Sequence, residues 1–165
     1  KEHGASISDK LTTYLRSGAA TPVPLTSEEE NSKDRIMREL RSGRINDAFQ
    51  CALSASNLGL VIYTCESAAP YDIFATTPCP LTQPVLLSLI SQLSGNLDKN
   101  FDLKMKYLEE AVLNLDTAHT MTADHIPNVL GALIQRLRVA EGLSTDARKS
   151  RTIRMLIMAA SSLLT

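Results

Sequence analysis

Cysteine and histidine side chains are the residues of this 165-residue sequence that could serve as nucleophiles or metal ligands. The three cysteines, Cys51, Cys65 and Cys79, fall at intervals of 14 residues, so no CxxC pair exists. Neither His119 nor His125 follows a cysteine at the spacing of a zinc site. The sequence therefore predicts no metal site. We expect reduced thiols, with Cys51 and Cys65 as small residues of a core.

Cys79 is the strongest candidate for a catalytic residue, because it lies between Pro78 and Pro80 and could expose its thiol. A thiolate nucleophile needs a nearby base or a helix N-terminus to lower its pKa, and the next predicted helix begins near Gln83. We favour the alternative, a loop cysteine packed against the helices. The sequence also lacks G-x-S-x-G, a Gly-rich phosphate loop and H-E-x-x-H. We therefore expect neither enzymatic activity nor a cofactor.

Neighbouring carboxylates occur at Glu109-Glu110 and from Glu28 to Glu30. Adjacent side chains of a helix point about 100° apart, so we favour solvated faces or caps over a paired catalytic site. The first pair suits a solvated helix face, and the triplet suits the positive N-terminus of a helix.

Basic residues are concentrated near the C-terminus, although the whole chain has a net charge of −1. From Arg136 onward there are six basic and two acidic residues, a net charge of +4. Such a cluster could bind RNA phosphates or an acidic protein, or could be only a solvated helix face. Because no aromatic residue follows Tyr107, this region offers no platform for stacking single-stranded RNA. The six basic residues are Arg136, Arg138, Arg148, Lys149, Arg151 and Arg154.

The segment from Asn57 to Leu97 contains no Lys or Arg. Its stretch "TPCPLTQPVLLSLISQLSG" combines leucines at helical spacing with only Ser and Gln as polar cover. One interpretation is a helix buried in the middle of the domain, which we favour. The other is a partly exposed groove for a peptide or a second copy of the chain.

Apolar residues recur at helical spacing along the chain, and no alternating strand pattern competes with them. A short helix is predicted at 5–16, followed by a Gly/Pro linker at 17–25, so we divide the chain into an N-terminal segment, 1–25, and a helical domain, 26–165. The domain's predicted helices begin at or next to Ser27, Asn46, Leu58, Pro84, Asp98, Thr122 and Ser144 or Thr145. Gly43 is the expected left-handed residue that ends the first of them.

Seven or eight short helices joined by short loops predict an all-α fold. Residues 40–67 form an αα-hairpin that breaks at Asn57, which favours antiparallel hairpins stacked in a superhelix or solenoid of the ARM/HEAT kind. No internal repeat of fixed period accompanies this pattern. No apolar run is long enough to cross a membrane or to act as a signal peptide. Since residue 1 is Lys, we expect a piece of a longer protein.

Three blocks of sequence, "INDAFQCALSASNLGLVIYTCE", "PCPLTQPVLLSLISQL" and "LKMKYLEEAVLNLD", occur in this order between residues 45 and 116. With them the chain resembles the C-terminal domain of the metazoan enhancer-of-mRNA-decapping family, large scaffolds of P-bodies. The resemblance covers about residues 35–165 and is loose after Asp116. Pro78-Cys79-Pro80 and Gln83-Pro84 match closely.

The resemblance implies an α-helical superhelix without catalytic activity, which assembles the decapping complex in cytoplasmic P-bodies. It implies the catalytic subunit of the decapping enzyme and a decapping activator as partners, together with self-association. RNA would be contacted indirectly, and no membrane would be bound. Direct RNA binding by the basic C-terminal face is the alternative function. We predict partner contacts on the polar side of the hairpin and on this basic face: Arg41, Arg44, Asn46, Asp47, Arg136, Arg138, Arg148, Lys149 and Arg151.

Overall fold

A computed structural model of the protein describes residues 27–165, and this part contains seven α-helices and no β-strand. The all-α prediction is confirmed. The chain divides into the units Lys1–Asn31 and Ser32–Thr165, and the second contains all described residues except 27–31. The helices are α1 Ser27–Arg41, α2 Ile45–Ser54, α3 Leu58–Ala68, α4 Gln83–Leu93, α5 Phe101–Leu113, α6 Ile126–Leu143 and α7 Ala147–Ser162.

The predicted helix at 5–16 and the linker at 17–25 lie outside the described residues. The division of the chain into residues 1–25 and 26–165 therefore stays a prediction. No helix of the described part is both long and apolar enough to cross a membrane.

Consecutive helices pair into three hairpins, α2/α3, α4/α5 and α6/α7. The hairpins stack in two rows: α4 packs against α2 and α6, while α5 packs against α3 and α7. Each hairpin therefore contacts its neighbours in the chain, as in the predicted superhelix. The helix lengths rise from 10 and 11 residues in the first hairpin to 18 and 16 in the last. These unequal hairpins explain why the sequence shows no repeat of fixed period.

The predicted hairpin at 40–67 is confirmed, and its two boundaries have local causes. Gly43 has φ +80°, and the backbone N–H of Arg44 donates to the carbonyl of Glu39 at 2.9 Å, which ends α1. Asn57 is extended, and its side-chain oxygen accepts from the N–H of Gly59 at 2.9 Å. This hydrogen bond caps α3 directly after α2 ends.

The core is aliphatic, with one small aromatic cluster. Phe49 and Tyr107 are buried with their ring centroids 6.1 Å apart, and Phe74 meets Tyr107 edge-on at 5.5 Å. Ala48 and Ala52 are also fully buried, which lets α2 approach its neighbours closely. Helix α2 carries Phe49, helix α5 carries Tyr107, and α3 packs against both of these helices. The cluster therefore holds the first two hairpins together.

Helix α4 is buried in the centre of the domain. Leu86, Leu89 and Ile90 have no solvent exposure, and the helix lies between α2 and α6. The burial predicted for the charge-poor segment is confirmed, and the alternative of an exposed groove along this helix is wrong. Its polar side chains make structural bonds: Nε2 of Gln92 donates to the carbonyl of Leu53 at 3.1 Å and so ties α4 to the end of α2.

Helix α5 begins later than Asp98, near which the sequence predicted its start. Asn100 adopts a left-handed conformation with φ 52°, so the helix begins only at Phe101. At the other end, Gln83 contacts the backbone on both sides of Leu115: Nε2 donates to the carbonyl of Asn114 at 3.0 Å, and Oε1 accepts from the N–H of Asp116 at 2.8 Å. These two hydrogen bonds fix the backbone from Asn114 onward in a non-helical conformation, so α5 ends at Leu113.

The starts of α6 and α7 also differ from the prediction. Thr122 precedes a 3₁₀ turn, Ala123–His125, and α6 begins after it at Ile126. Helix α7 is capped by Asp146 and not by Ser144 or Thr145. The Asp146 carboxylate accepts hydrogen bonds from the N–H groups of Arg148 and Lys149. Its negative charge also interacts favourably with the helix dipole.

Candidate partner-binding surfaces

The first predicted surface surrounds the turn between α1 and α2. Arg41, Arg44 and Asp47 are exposed there, whereas Asn46 is half-buried. The guanidinium of Arg44 forms an ion pair with Glu39, so its charge is already partly compensated. Among the described residues Arg41 and Asp47 have no side-chain hydrogen bond or ion pair. These two side chains are therefore the ones best placed for a partner.

Asn46 has a structural contact that the sequence did not indicate. Its side-chain oxygen accepts from the N–H of Thr82 at 2.9 Å, across 36 residues of sequence. The bond ties the proline-rich segment between α3 and α4 to the start of α2. Asn46 thus positions that segment, which also contains Cys79.

The second predicted surface, on the C-terminal hairpin, is divided by the structure into two parts. Arg138, Arg148 and Arg151 are exposed and form no ion pair within residues 27–165. Arg136 and Lys149 instead line a groove, and each is held by a neutral partner. The guanidinium of Arg136 donates to the hydroxyl of Ser94, and Nζ of Lys149 lies 5.1 Å from the ring centroid of Phe101.

The groove has a volume of about 1030 Å³ and lies between the α4–α5 connection and the last two helices. Its most exposed apolar residues are Val139 and Leu143, with 60% and 79% of their surface accessible. They are four residues apart on α6 and therefore share one face of that helix. Deeper in the groove the apolar lining is formed by Leu97, Phe101, Ala140 and Ile153.

Sequence reasoning missed this groove, although a signal was present. Leu130, Leu133 and Leu137 follow one face of α6 and are fully buried. Val139 and Leu143 lie on the opposite face, so α6 is apolar on two sides. A surface helix with a second apolar side either contacts another element or exposes a binding face.

The wall of the groove formed by residues 94–98 is held by a buried lysine. Lys104 is only 1% exposed, and its Nζ donates to the carbonyls of Gly95 at 2.9 Å and Asn96 at 2.7 Å. Burial lowers the pKa of Lys104, and the negative charge of Asp98 opposes that shift. Lys104 therefore satisfies carbonyls just beyond the end of α4 and fixes the connection that lines the groove.

The three cysteine thiols are buried or half-buried in the fold. Burial raises the pKa of the Cys65 thiol, and the charge of Glu66 adds to the effect, so this thiol stays protonated. Cys51 and Cys79 are half-buried and pack against the core. Within the described part, no three His, Cys, Asp or Glu residues are grouped so that they could hold a metal ion.

Comparisons with known proteins agree on one family. A family model described as "Enhancer of mRNA-decapping protein 4, C-terminal" matches residues 36–156. Proteins named enhancer of mRNA-decapping protein 4 are 41% identical over 160 residues in Xenopus laevis and 44% identical over 138 residues in Homo sapiens. These alignments cover 96% and 83% of this chain but only 12% and 10% of the relatives, so the chain spans about a tenth of their length.

A solved structure is also similar. The crystal structure of the conserved C-terminal region of Ge-1 matches with a TM-score of 0.71 at 35% sequence identity. The match covers 80% of this chain and 98% of that chain.

Proposed function

The chain belongs to the family of the C-terminal region of enhancer of mRNA-decapping protein 4, and we propose that it is a non-catalytic interaction domain of an mRNA-decapping scaffold. The observation that carries this proposal is the family match over residues 36–156, which spans the first two hairpins and most of the third. The relatives are named as enhancers of decapping, a description that suits a protein acting on the decapping machinery through binding.

We further propose that the domain promotes assembly of the decapping complex and directs the protein to cytoplasmic P-bodies. The proposed partners are the catalytic subunit of the decapping enzyme and a decapping activator, with self-association as a further role. Stacked hairpins suit such a role because they present long surfaces on which separate partners can bind. The polar surface around Arg41 and Asp47 lies at the turn between α1 and α2, whereas the basic surface lies on the α6/α7 hairpin.

The placement of the buried polar side chains supports a scaffold over an enzyme. The ammonium of Lys104, the hydroxyl of Tyr107 and the amide of Gln83 all bond to backbone groups of neighbouring segments. These groups stabilise the arrangement of the helices, whereas an active site would aim such groups into a cavity.

Binding assays with purified components test this proposal. The chain would be mixed with the purified catalytic subunit of the decapping enzyme and with the purified activator, and co-precipitation would be measured. We expect at least one of them to bind, and we expect Arg41→Glu or an Arg138→Glu/Arg151→Glu double variant to weaken that binding. Lys106→Glu, an exposed change on α5, is the control for a general effect of charge. If neither subunit binds the wild-type chain, the proposed partners are wrong.

Direct RNA binding is the second candidate function, favoured by the three arginines without carboxylate partners, Arg138, Arg148 and Arg151. Such a surface would bind RNA of any sequence, and the affinity would fall steeply with salt because counterions are released from phosphates. Titration of a labelled homopolymeric RNA at several salt concentrations tests it. Binding that is weakened by Arg148→Glu and by added salt would support this candidate, and no binding at low salt would exclude it.

A further inference from the structure

The side of α7 that faces solvent combines arginines with exposed methionines. Arg148, Arg151, Met155 and Met158 follow one another at intervals of three or four residues, so they form one row along the helix, which we call the α7 stripe. Both arginines are exposed, and Met155 and Met158 have 59% and 71% of their surface accessible. The buried residues of α7 lie on the other side of the helix: Ile153, Leu156 and Ala160.

The α7 stripe is also separate from the groove beside α6. None of its four residues lines that groove, to which α7 contributes Lys149 and Ile153. These two residues project from the opposite side of the helix. The α7 stripe is therefore a second surface of the last hairpin, with its own composition.

The fold does not neutralise the positive charge of the α7 stripe. Helix α7 contains four basic residues and no Asp or Glu. Within residues 27–165, Arg148 and Arg151 form no ion pair, whereas Arg154, beside the stripe, pairs with Glu141 of α6 at 3.4 Å. Two guanidinium groups thus remain available, and they favour a ligand with carboxylates.

Carboxylates of neighbouring segments do not pair with these two arginines. Asp146 lies at the N-cap of α7, where it accepts the backbone N–H groups of Arg148 and Lys149. Helix α5, which packs against α7, exposes Asp102 and Glu109. Neither of them forms an ion pair with an arginine of α7 in the described part of the chain. The complementary charge must therefore come from a ligand.

The two methionines favour a protein over RNA as this ligand. Methionine is unbranched and polarizable, and it is common on binding surfaces that adapt to apolar side chains of a partner. Phosphate groups could not use such contacts. No aromatic residue follows Tyr107 in the sequence, so this helix also offers no ring on which RNA bases could stack.

We propose that the α7 stripe binds an acidic segment of a protein partner that also carries apolar side chains. The proposal rests on the proposed function, since it names the chemistry of the segment that the basic surface of the scaffold would receive. Carboxylates of the segment would pair with Arg148 and Arg151, and its apolar side chains would cover Met155 and Met158. Pairing with the same face of a second copy is disfavoured, because it would bring arginines together.

A displayed library of random peptides tests the proposal, with the purified full chain as bait. We expect enriched peptides that combine an excess of Asp and Glu with apolar residues. An enriched peptide would be synthesised with a fluorescent label and titrated by anisotropy at several salt concentrations. Arg148→Glu/Arg151→Glu should weaken its binding at least about tenfold and make binding less sensitive to salt. Met155→Ser/Met158→Ser should weaken binding at least about threefold and keep the salt dependence of the wild type.

Matched control variants carry the same substitutions elsewhere in the domain. Arg35→Glu/Arg38→Glu reverses two exposed arginines on α1 that are also three residues apart. Met121→Ser changes a methionine that is 70% exposed in the connection between α5 and α6. Both controls should bind the peptide as the wild type does, and circular dichroism should show that all variants fold.

Four results would overturn the proposal. The first is that no peptide is enriched, or that the enriched peptides lack an acidic excess. The second is that either double variant of the α7 stripe binds like its control. The third is that a homopolymeric RNA displaces the peptide and binds the wild type more tightly. The fourth is that the chain dimerises in gel filtration and unlabelled chain displaces the peptide, since a second copy would then be the occupant.

This test is separate from the test of the proposed function. If the decapping subunits co-precipitate with Met155→Ser/Met158→Ser as with the wild type, and no acidic peptide binds, only the assignment of the α7 stripe is wrong. If the acidic peptide binds the α7 stripe and neither decapping subunit co-precipitates, that assignment stands and the proposed function is wrong.

Discussion

The hydroxyl of Tyr107 on α5 donates a hydrogen bond to the backbone carbonyl of Cys65 on α3, at 2.9 Å and across 42 residues of sequence. The same ring contacts Phe49 and Phe74. Burial raises the pKa of Tyr107, so its hydroxyl remains a donor through the physiological pH range. One side chain thus joins the first hairpin to the second by both packing and hydrogen bonding.

Tyr107→Phe removes that hydrogen bond and keeps the ring. We expect the free energy of unfolding to fall by about 1–2 kcal/mol, because one buried donor–acceptor pair is lost without a large cavity. Urea denaturation followed by circular dichroism measures the change. Tyr71→Phe, at an exposed position, is the control and should be nearly neutral. Equal stability of Tyr107→Phe and wild type would mean that the bond contributes nothing.

Phe49→Ala should destabilise the domain much more. The ring is fully buried within the aromatic cluster, and removing such a ring leaves a cavity that costs about 3–5 kcal/mol. We expect loss of function through unfolding, seen as a lowered urea midpoint. Leu143→Ala removes a large but exposed side chain and should change stability by less than about 0.5 kcal/mol. Similar effects of the two changes would contradict the assigned core.

Lys104→Met tests the buried lysine and gives a prediction for pH. Without the ammonium, the carbonyls of Gly95 and Asn96 lose their donor, and we expect a loss of about 1–3 kcal/mol at neutral pH. Because burial lowers the pKa of Lys104 below 10.5, the unfolded chain binds more protons there than the folded chain. The stability of wild type relative to Lys104→Met should therefore rise as the pH approaches 10.5. If the stability of wild type relative to Lys104→Met instead falls as the pH rises, folding raises the pKa of Lys104 and the assigned direction is wrong.

Asn46→Ala separates a positioning role from a role in recognition. The variant loses the bond to the N–H of Thr82, so the proline-rich segment should loosen, at a cost of about 0.5–1.5 kcal/mol. The half-buried thiol of Cys79 should then react faster with a soluble disulfide reagent. Asp47→Ala, next to it and exposed, should leave the rate unchanged. If Asn46→Ala instead abolishes partner binding at an unchanged thiol rate, Asn46 contacts the partner directly.

Reversing the charges of Arg41 and Arg44 should leave the fold intact. Both side chains are exposed, and the ion pair of Arg44 with Glu39 lies at the surface, where such pairs contribute about 0–1 kcal/mol. A fluorescent fusion with Arg41→Glu and Arg44→Glu should fail to enter P-bodies if this surface recruits the protein. Lys106→Glu provides the control. Unfolding of the double variant would show that the two faces of the first hairpin were wrongly assigned.

Local features of the fold were predictable because their causes lie within a few residues. Gly43 ends α1 by its left-handed conformation, and Asn57 caps α3 with its own side chain, so both boundaries followed from residue type. The burial of α4 was favoured by composition, since a helix with only Ser and Gln as polar cover is poorly suited to a solvated face. The start of α5 was misplaced because nothing near Asn100 in the sequence required its left-handed conformation.

By itself, then, the sequence determined the all-α class, the hairpin at 40–67, the burial of α4, and the resemblance to the decapping-enhancer family. The tertiary structure alone decided which side chains remain available to bind a partner. Asn46 is engaged by Thr82, Arg136 by Ser94, and Lys104 by carbonyls beyond α4, while Val139 and Leu143 stay uncovered. The reason is physical: helix periodicity and caps act between neighbours in sequence, whereas the availability of a side chain depends on segments about ten to forty residues away that stacking brings beside it.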